Sequence, residues 1–316
     1  MLGSILALSY PRFTASISAS EPYPHTAMPT SSAVILSDAT HYANAVSYFK
    51  GDGGQLVAPY AYRIIPLYAA SKLPFNPIKN INVLNIFYYS LAYLLLIINN
   101  KKNIKSILLN SILFCVSFPV FYYLCIGLVD PLSILIISAI LLSQKKSLIT
   151  LIFLFLLAPF INEKIVLCLI PCVYYRYHAL QEGKFSRHFL LPLVIGIVYF
   201  YLCSKWLRGY IGTDIDWAPN WTNLMINIQR PRAWISAILT IAPQIAAIIF
   251  LRNRLDKNSL DVRAHLLGAL LFLLLWIYSF VAAWTDGRFL WYSYPYLFSL
   301  VGLAYLRTKP TSLKIN

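Results

Sequence analysis

Asp38 stands in Ser37-Asp38-Ala39-Thr40-His41-Tyr42, at the head of a segment whose Tyr42, Ala45, Val46 and Phe49 recur at helical spacing. A carboxylate there has two uses. It can cap the helix by accepting from a backbone N–H, or it can take a proton from a hydroxyl as general base, with His41 and Tyr42 shaping a pocket. Further carboxylates stand where apolar runs begin or end: Asp130 before Pro131, Glu163 in Asn162-Glu163-Lys164, and Asp286 in Asp286-Gly287-Arg288. Asp130 can cap its helix, and Asp286 can pair locally with Arg288. Glu163 and Lys164 are adjacent, which predicts side chains on different faces that do not simply neutralise each other. Ionisable groups at membrane depth are costly and mark functional sites. Arg63, Lys164 and Arg288 are cations suited to a phosphate oxyanion. Asp130 and Glu163 are therefore expected beside Asp38, around one polar cavity at the membrane edge.

These residues are embedded in a chain that is 59% hydrophobic and only 12% charged, with mean hydropathy +0.65. That composition belongs to a polytopic membrane protein. Apolar runs at 81–98, 106–124, 129–143, 148–160, 164–175, 189–206, 233–251, 264–284 and 289–306 predict an all-α transmembrane bundle. Counting an incomplete run at the start, it has about nine or ten spans. The runs 129–143, 148–160 and 164–175 are short. Reading 148–175 as two helices keeps Arg252, Arg254, Lys257 and Arg263 on the same side as the other bases. Segments 99–105, 144–147, 176–188, 252–263 and the tail after 306 then face the cytoplasm, and most carboxylates face outside. Leu2–Tyr10 is too short to cross a bilayer and lacks the features of a signal peptide, so 1–36 is expected to hold a truncated first span and a loop. Residues 37–316 read as one integral-membrane domain, its first loop carrying a short amphipathic helix on the outer surface.

Other function classes find little support. The formal charge of +15 is spread over short loops with no nucleic-acid-binding motif, so the partner it suits is the lipid bilayer and not nucleic acid. The five cysteines lie in or beside apolar runs, which argues for packing rather than disulfides. No P-loop, Gly-x-Ser-x-Gly elbow or His/Cys metal spacing occurs. No metal ligands are assigned, although a divalent cation remains open as a cofactor. The loop 207–232 sets Asp214, Asp216, Trp217 and Trp221 near Arg230 and Arg232, a composition that suits either sugar binding or interfacial anchoring.

The order of these motifs resembles the GT-C glycosyltransferase superfamily, polytopic enzymes that use polyprenyl-phosphate sugars. The matching residues are Ser37 to Tyr42, Pro59-Tyr60-Ala61-Tyr62-Arg63-Ile64-Ile65-Pro66 and Val129-Asp130-Pro131-Leu132. Asn162-Glu163-Lys164, Asp286-Gly287-Arg288-Phe289 and Tyr294-Pro295 follow in the same order. The resemblance spans most of 37–306 and is closest to small bacterial members. It implies Asp38 as the catalytic base of the first outer loop. Here Ser37-Asp38 replaces the usual acidic pair. It also implies a polyprenyl-phosphate sugar donor, a glycan, lipid or protein acceptor, and a site on the outer face of a bacterial inner membrane. Tyr42, Tyr62, Arg63, Asp130, Glu163, Lys164, Asp286 and Arg288 are the candidate substrate-binding residues. The rivals are a flippase or permease for lipid-linked sugars and a repeat-unit polymerase. A carrier would show pseudo-symmetric halves, and the sequence has none.

Overall fold

In a computed structural model of the chain the apolar runs fold into helices, and the described residues (2–18, 37–99, 104–180, 187–211, 219–282 and 285–306) contain no strand. The chain opens with α1 (Leu2–Ser18) and α2 (Ser37–Lys50). It then passes a 3-10 turn at Tyr60–Tyr62 into α3 (Ile64–Ser71) and the long α4 (Pro77–Asn99). Next come α5 (Ile104–Cys115) and, after a bend, α6 (Phe118–Tyr122), followed by α7 (Asp130–Ser143) and α8 (Leu148–Ile161). A 3-10 turn at Glu163–Cys168 leads into α9 (Leu169–Leu180), α10 (Arg187–Ile211), α11 (Trp221–Gln229) and α12 (Pro231–Phe250). Beyond a turn at Arg252–Arg254 lie α13 (Leu260–Ala282), α14 (Arg288–Trp291) and α15 (Tyr294–Leu306).

The helix α4, the pair α5–α6, α12 and α13 are each long and apolar enough to cross a membrane. Their outward side chains, among them Phe87, Leu94, Ile238, Leu270 and Ile277, are exposed and apolar, the surface a bilayer covers. This is a membrane protein built as a helical bundle. The short run at 129–143 has a different role. At 14 residues, α7 would span only about 21 Å. Ile134, Ile137 and Ile140 are fully buried, because α7 is an internal helix packed on α4, α8 and α15. The run 148–175 is interrupted as its sequence suggests. α8 ends two residues after Pro159, and Asn162 caps the following turn by accepting from the Lys164 N–H at 3.1 Å.

One expectation needs correction. α1 continues past Tyr10 to Ser18, where a loop was expected. Ile5 anchors it in the main core beside α4 and α6, and the Thr14 hydroxyl bonds back to the carbonyls of Tyr10 (3.0 Å) and Pro11 (3.1 Å). Local bonding of this kind keeps a polar residue inside a helix. Residues 19–36 lie outside the described residues. α2 keeps one face toward the surface, with Tyr48 exposed and Asp38, His41 and Asn44 partly so, and buries the other. Ala39 and Ala43 add a second apolar strip beside Tyr42, Ala45 and Val46, so the helix is packed into the bundle against α3 and α4.

Between α6 and α7 the backbone is irregular and buried, so its polar groups need partners. Asn82 and Asn85 of α4 supply them. The Asn82 carboxamide accepts from Gly127 N–H at 2.9 Å and Asn85 donates to Leu124 O at 3.1 Å and to Leu128 O. Gly127 has φ +79, and an added Cβ would lie 2.8 Å from the Cβ of Ala39. Only glycine serves there, because the start of α2 rests directly on this loop. At the other side of the bundle, α13 meets α15 through Gly268, whose added Cβ would lie 2.2 Å from the buried Tyr296 ring. Gly268→Val should therefore cost about 1–3 kcal/mol by overpacking. Gly209→Val is the control, since nothing lies within 4 Å of that position. Equal thermal unfolding of the two purified variants would disprove a tight contact.

Candidate functional site

Six charged side chains from five parts of the chain form one string of alternating sign. Arg288 Nη2 donates to Asp38 Oδ2 at 3.0 Å, and Arg288 Nε lies 3.9 Å from Asp130 Oδ2. Arg63 Nη1 lies 3.9 Å from Asp130 Oδ1, and Arg63 Nη2 reaches Glu163 Oε1 at 3.3 Å. Lys164 Nζ closes the string on Glu163 Oε1 at 3.2 Å. The order is thus Asp38, Arg288, Asp130, Arg63, Glu163, Lys164. Burying one charge alone is prohibitive, and alternation is what lets these groups leave water together. Asp130 is the most enclosed, with 2% side-chain exposure, whereas the Glu163 side chain is 51% exposed.

Each element is held in place by features already described. The Gly127 loop, tied to α4, sets the start of α7 and hence Asp130, and the same loop bears on α2 next to Asp38. Arg63 follows the Tyr60–Tyr62 turn. Glu163 and Lys164 open the 3-10 turn that breaks the α8–α9 run. Arg288 begins α14, after a tight turn in which Asp286 Oδ1 accepts from the Arg288 backbone N–H at 2.8 Å. That bond occupies the Asp286 carboxylate locally and leaves the Arg288 side chain for Asp38 and Asp130.

Aromatic and amide groups complete the wall. Tyr60 O–H donates to Asp38 Oδ1 at 3.3 Å, and His41 stacks on the Tyr60 ring at 4.5 Å. Arg63 Nη1 donates to the Tyr42 hydroxyl, and the Tyr292 hydroxyl donates to Asp130. Asn162 Nδ2 donates to Tyr292 at 3.0 Å. The Lys164 ammonium lies 5.2 Å from the Phe289 ring centroid and 5.7 Å from that of Tyr292. Burial disfavours the charged form of Asp38, but the Arg288 guanidinium, with Arg63 and Lys164 behind it, outweighs burial and holds the carboxyl below its ordinary range. The Tyr60 hydroxyl is pushed up to about 12 by burial and by Asp38, so it stays a neutral donor. Burial lowers His41 against the opposing pull of Asp38, which keeps the imidazole neutral at pH 7.

Most of the sequence candidates meet here. Asp38, Tyr42, Arg63, Asp130, Glu163, Lys164 and Arg288 share one network, in which Arg288 links Asp130 to Asp38 and Arg63 links Glu163 to Asp130. Asp286 supports the network from its turn, and Tyr62 is half-buried beside Arg63. The adjacent Glu163 and Lys164 do pair, against expectation, because their long side chains fold toward each other from the 3-10 turn. Tyr60, Asn162 and Tyr292 join the site without having been singled out, although all three lie within or beside the charged motifs. Asp214, Asp216 and Trp217 lie outside the described residues. Among the described residues no three His, Cys, Asp or Glu side chains are grouped to hold a metal ion. Two buried donors of the network, Arg63 Nε and Arg288 Nη1, have no acceptor among the described residues. Comparison with known protein families, curated proteins and solved structures finds no match to this chain.

Proposed function

We propose that the chain is an inverting membrane glycosyltransferase that moves a sugar from a polyprenyl-phosphate donor to an acceptor hydroxyl on the extracytoplasmic side of a bacterial inner membrane. The observation that carries this reading is the pairing of a partly buried carboxylate, Asp38, with a guanidinium, Arg288, that still has a buried donor without an acceptor. A base and an oxyanion clamp side by side are what displacement at a sugar–phosphate carbon requires. The acceptor oxygen attacks the anomeric carbon, its proton passes to Asp38, and the carbon–oxygen bond to phosphate breaks with its electron pair leaving on the polyprenyl phosphate. Arg288, Arg63 and Lys164 stabilise that leaving charge.

Arg288 has a second part in this scheme. While it holds Asp38, the carboxylate is a weak base. A donor phosphate competes for the same guanidinium, and as Arg288 turns toward it Asp38 becomes more basic just when the sugar is in place. The basic loops support an orientation with the cluster outside and the C-terminus in the cytoplasm. The test is an assay of membranes that contain the protein, supplied with radiolabelled polyprenyl-phosphate sugar. Label should move into a larger glycan or glycolipid with inversion at the anomeric carbon. Retention of configuration, or transport of the intact lipid without bond cleavage, would refute the proposal.

A further inference from the structure

A second group of arginines gathers beside the first, and we propose that it binds the phosphate of an anionic acceptor, a membrane-borne glycan or glycolipid that carries phosphate at the membrane surface. This rests on the transferase reading above.

The group is built around Tyr122, at the end of α6. The Arg12 guanidinium of α1 lies over its ring, 4.3 Å from the centroid. Arg232, in the first turn of α12, donates to the Tyr122 hydroxyl at 2.7 Å, with its guanidinium carbon 5.7 Å from the ring centroid. Arg230, immediately before α12, donates to Asn227 Oδ1 at 3.2 Å, and the same oxygen accepts from Thr285 N–H at 3.1 Å. Ser236, one turn beyond Arg232 on the same face, accepts from Gly287 N–H at 2.8 Å. The start of α12 is therefore clamped to the turn whose last residue is Arg288. Both cationic groups border that turn.

Among the described residues the two groups differ in the carboxylates they hold. The six-membered string carries as many carboxylates as cations. Arg230 and Arg232 share the field of Asp286, whose carboxylate is already bonded to the Arg288 N–H. Burial, and after it the like charge of Arg232, lower the pKa of Arg230 against the opposing pull of Asp286, so the two guanidiniums stand close enough to repel each other. Arg232 is exposed, and Arg12 and Arg230 are partly exposed, so a surface anion can reach them. Guanidinium groups braced against an aromatic ring and amide oxygens present preset donors to phosphate oxygens. A donor with a single phosphate is satisfied by the cations next to Asp38. The second seat then falls to the other substrate.

The test uses the full-length protein in phosphatidylcholine nanodiscs, with no sugar donor present, so it is independent of whether transfer occurs. The probes are inorganic pyrophosphate and polyprenyl phosphate. Arg230→Gln/Arg232→Gln should raise the Kd for pyrophosphate about tenfold or more, while polyprenyl phosphate binding stays within about twofold. Arg63→Gln should do the reverse. Arg12→Gln alone should weaken pyrophosphate binding in the same direction, which guards against misfolding of the double variant. Pyrophosphate binding that survives in both variants overturns the proposal. So does a double variant that loses both ligands equally, because one seat would then explain everything. A third arm adds phosphatidylglycerol to the nanodiscs. Arginine-dependent binding of that lipid, with none of pyrophosphate, would make the group a contact for leaflet headgroups and refute an acceptor site.

Discussion

Asp38→Asn should fold, insert and bind donor, yet transfer sugar about 10²–10⁴-fold more slowly than the parent. Asparagine has nearly the same shape and caps helices as well as aspartate, so a capping role alone predicts little change. It cannot take the acceptor's proton. The carboxylate it replaces is engaged by Tyr60 and Arg288, residues 22 and 250 positions away, which is the pattern of a site and not of a local cap. The pH profile gives an independent reading. Because Asp38 is held below its ordinary value of 3.8, it stays ionised down to that pH, and its contribution is lost only as pH falls through the lowered value. An acid limb above 3.8 in kcat/KM, which reports the free enzyme, would point to another group. Parental transfer by Asp38→Asn membranes would remove Asp38 as the base and turn attention to Asp130 or Glu163.

Asp130→Asn should act mainly on the fold. Its carboxylate is the shared counter-ion of Arg63 and Arg288 and accepts the Tyr292 hydroxyl. Neutralising it leaves two buried guanidiniums short of an anion, a loss of about 3–5 kcal/mol for a broken buried pair. Glu163→Gln is the comparison. That side chain is half exposed, so its pairs with Arg63 and Lys164 are screened and their loss should cost less than about 1 kcal/mol. The measurement is thermal or denaturant unfolding of the purified variants in detergent. Similar losses for the two would mean that the string is not organised around Asp130.

The class of fold was legible because composition and hydrophobic runs report burial and length directly. The interruption at Pro159 and Asn162 was legible as well, since proline and a polar triplet cannot continue an apolar helix. The depth of α2 was harder to read. Its helical spacing suits a surface helix equally, and only Gly127, in the left-handed region and against Ala39, reveals that another segment lies upon it. Charged candidates were found because charge is rare in such a chain. Tyr60, Asn162 and Tyr292 were passed over because aromatic and amide residues are abundant at membrane interfaces, and which of them touches Asp38 or Asp130 depends on contacts far apart in sequence.

The alternation of sign along the six-residue string has a kinetic consequence. A cluster with equal numbers of both charges projects little field beyond its own dimensions, so it cannot draw an anionic lipid from a distance. On the transferase proposal, a lipid-borne donor would have to arrive by lateral diffusion and be recognised on contact. Its capture rate should then vary little with ionic strength. Arg232 and, in part, Arg12 instead hold their guanidiniums at the surface, and encounters with them should slow as salt shortens the Debye length.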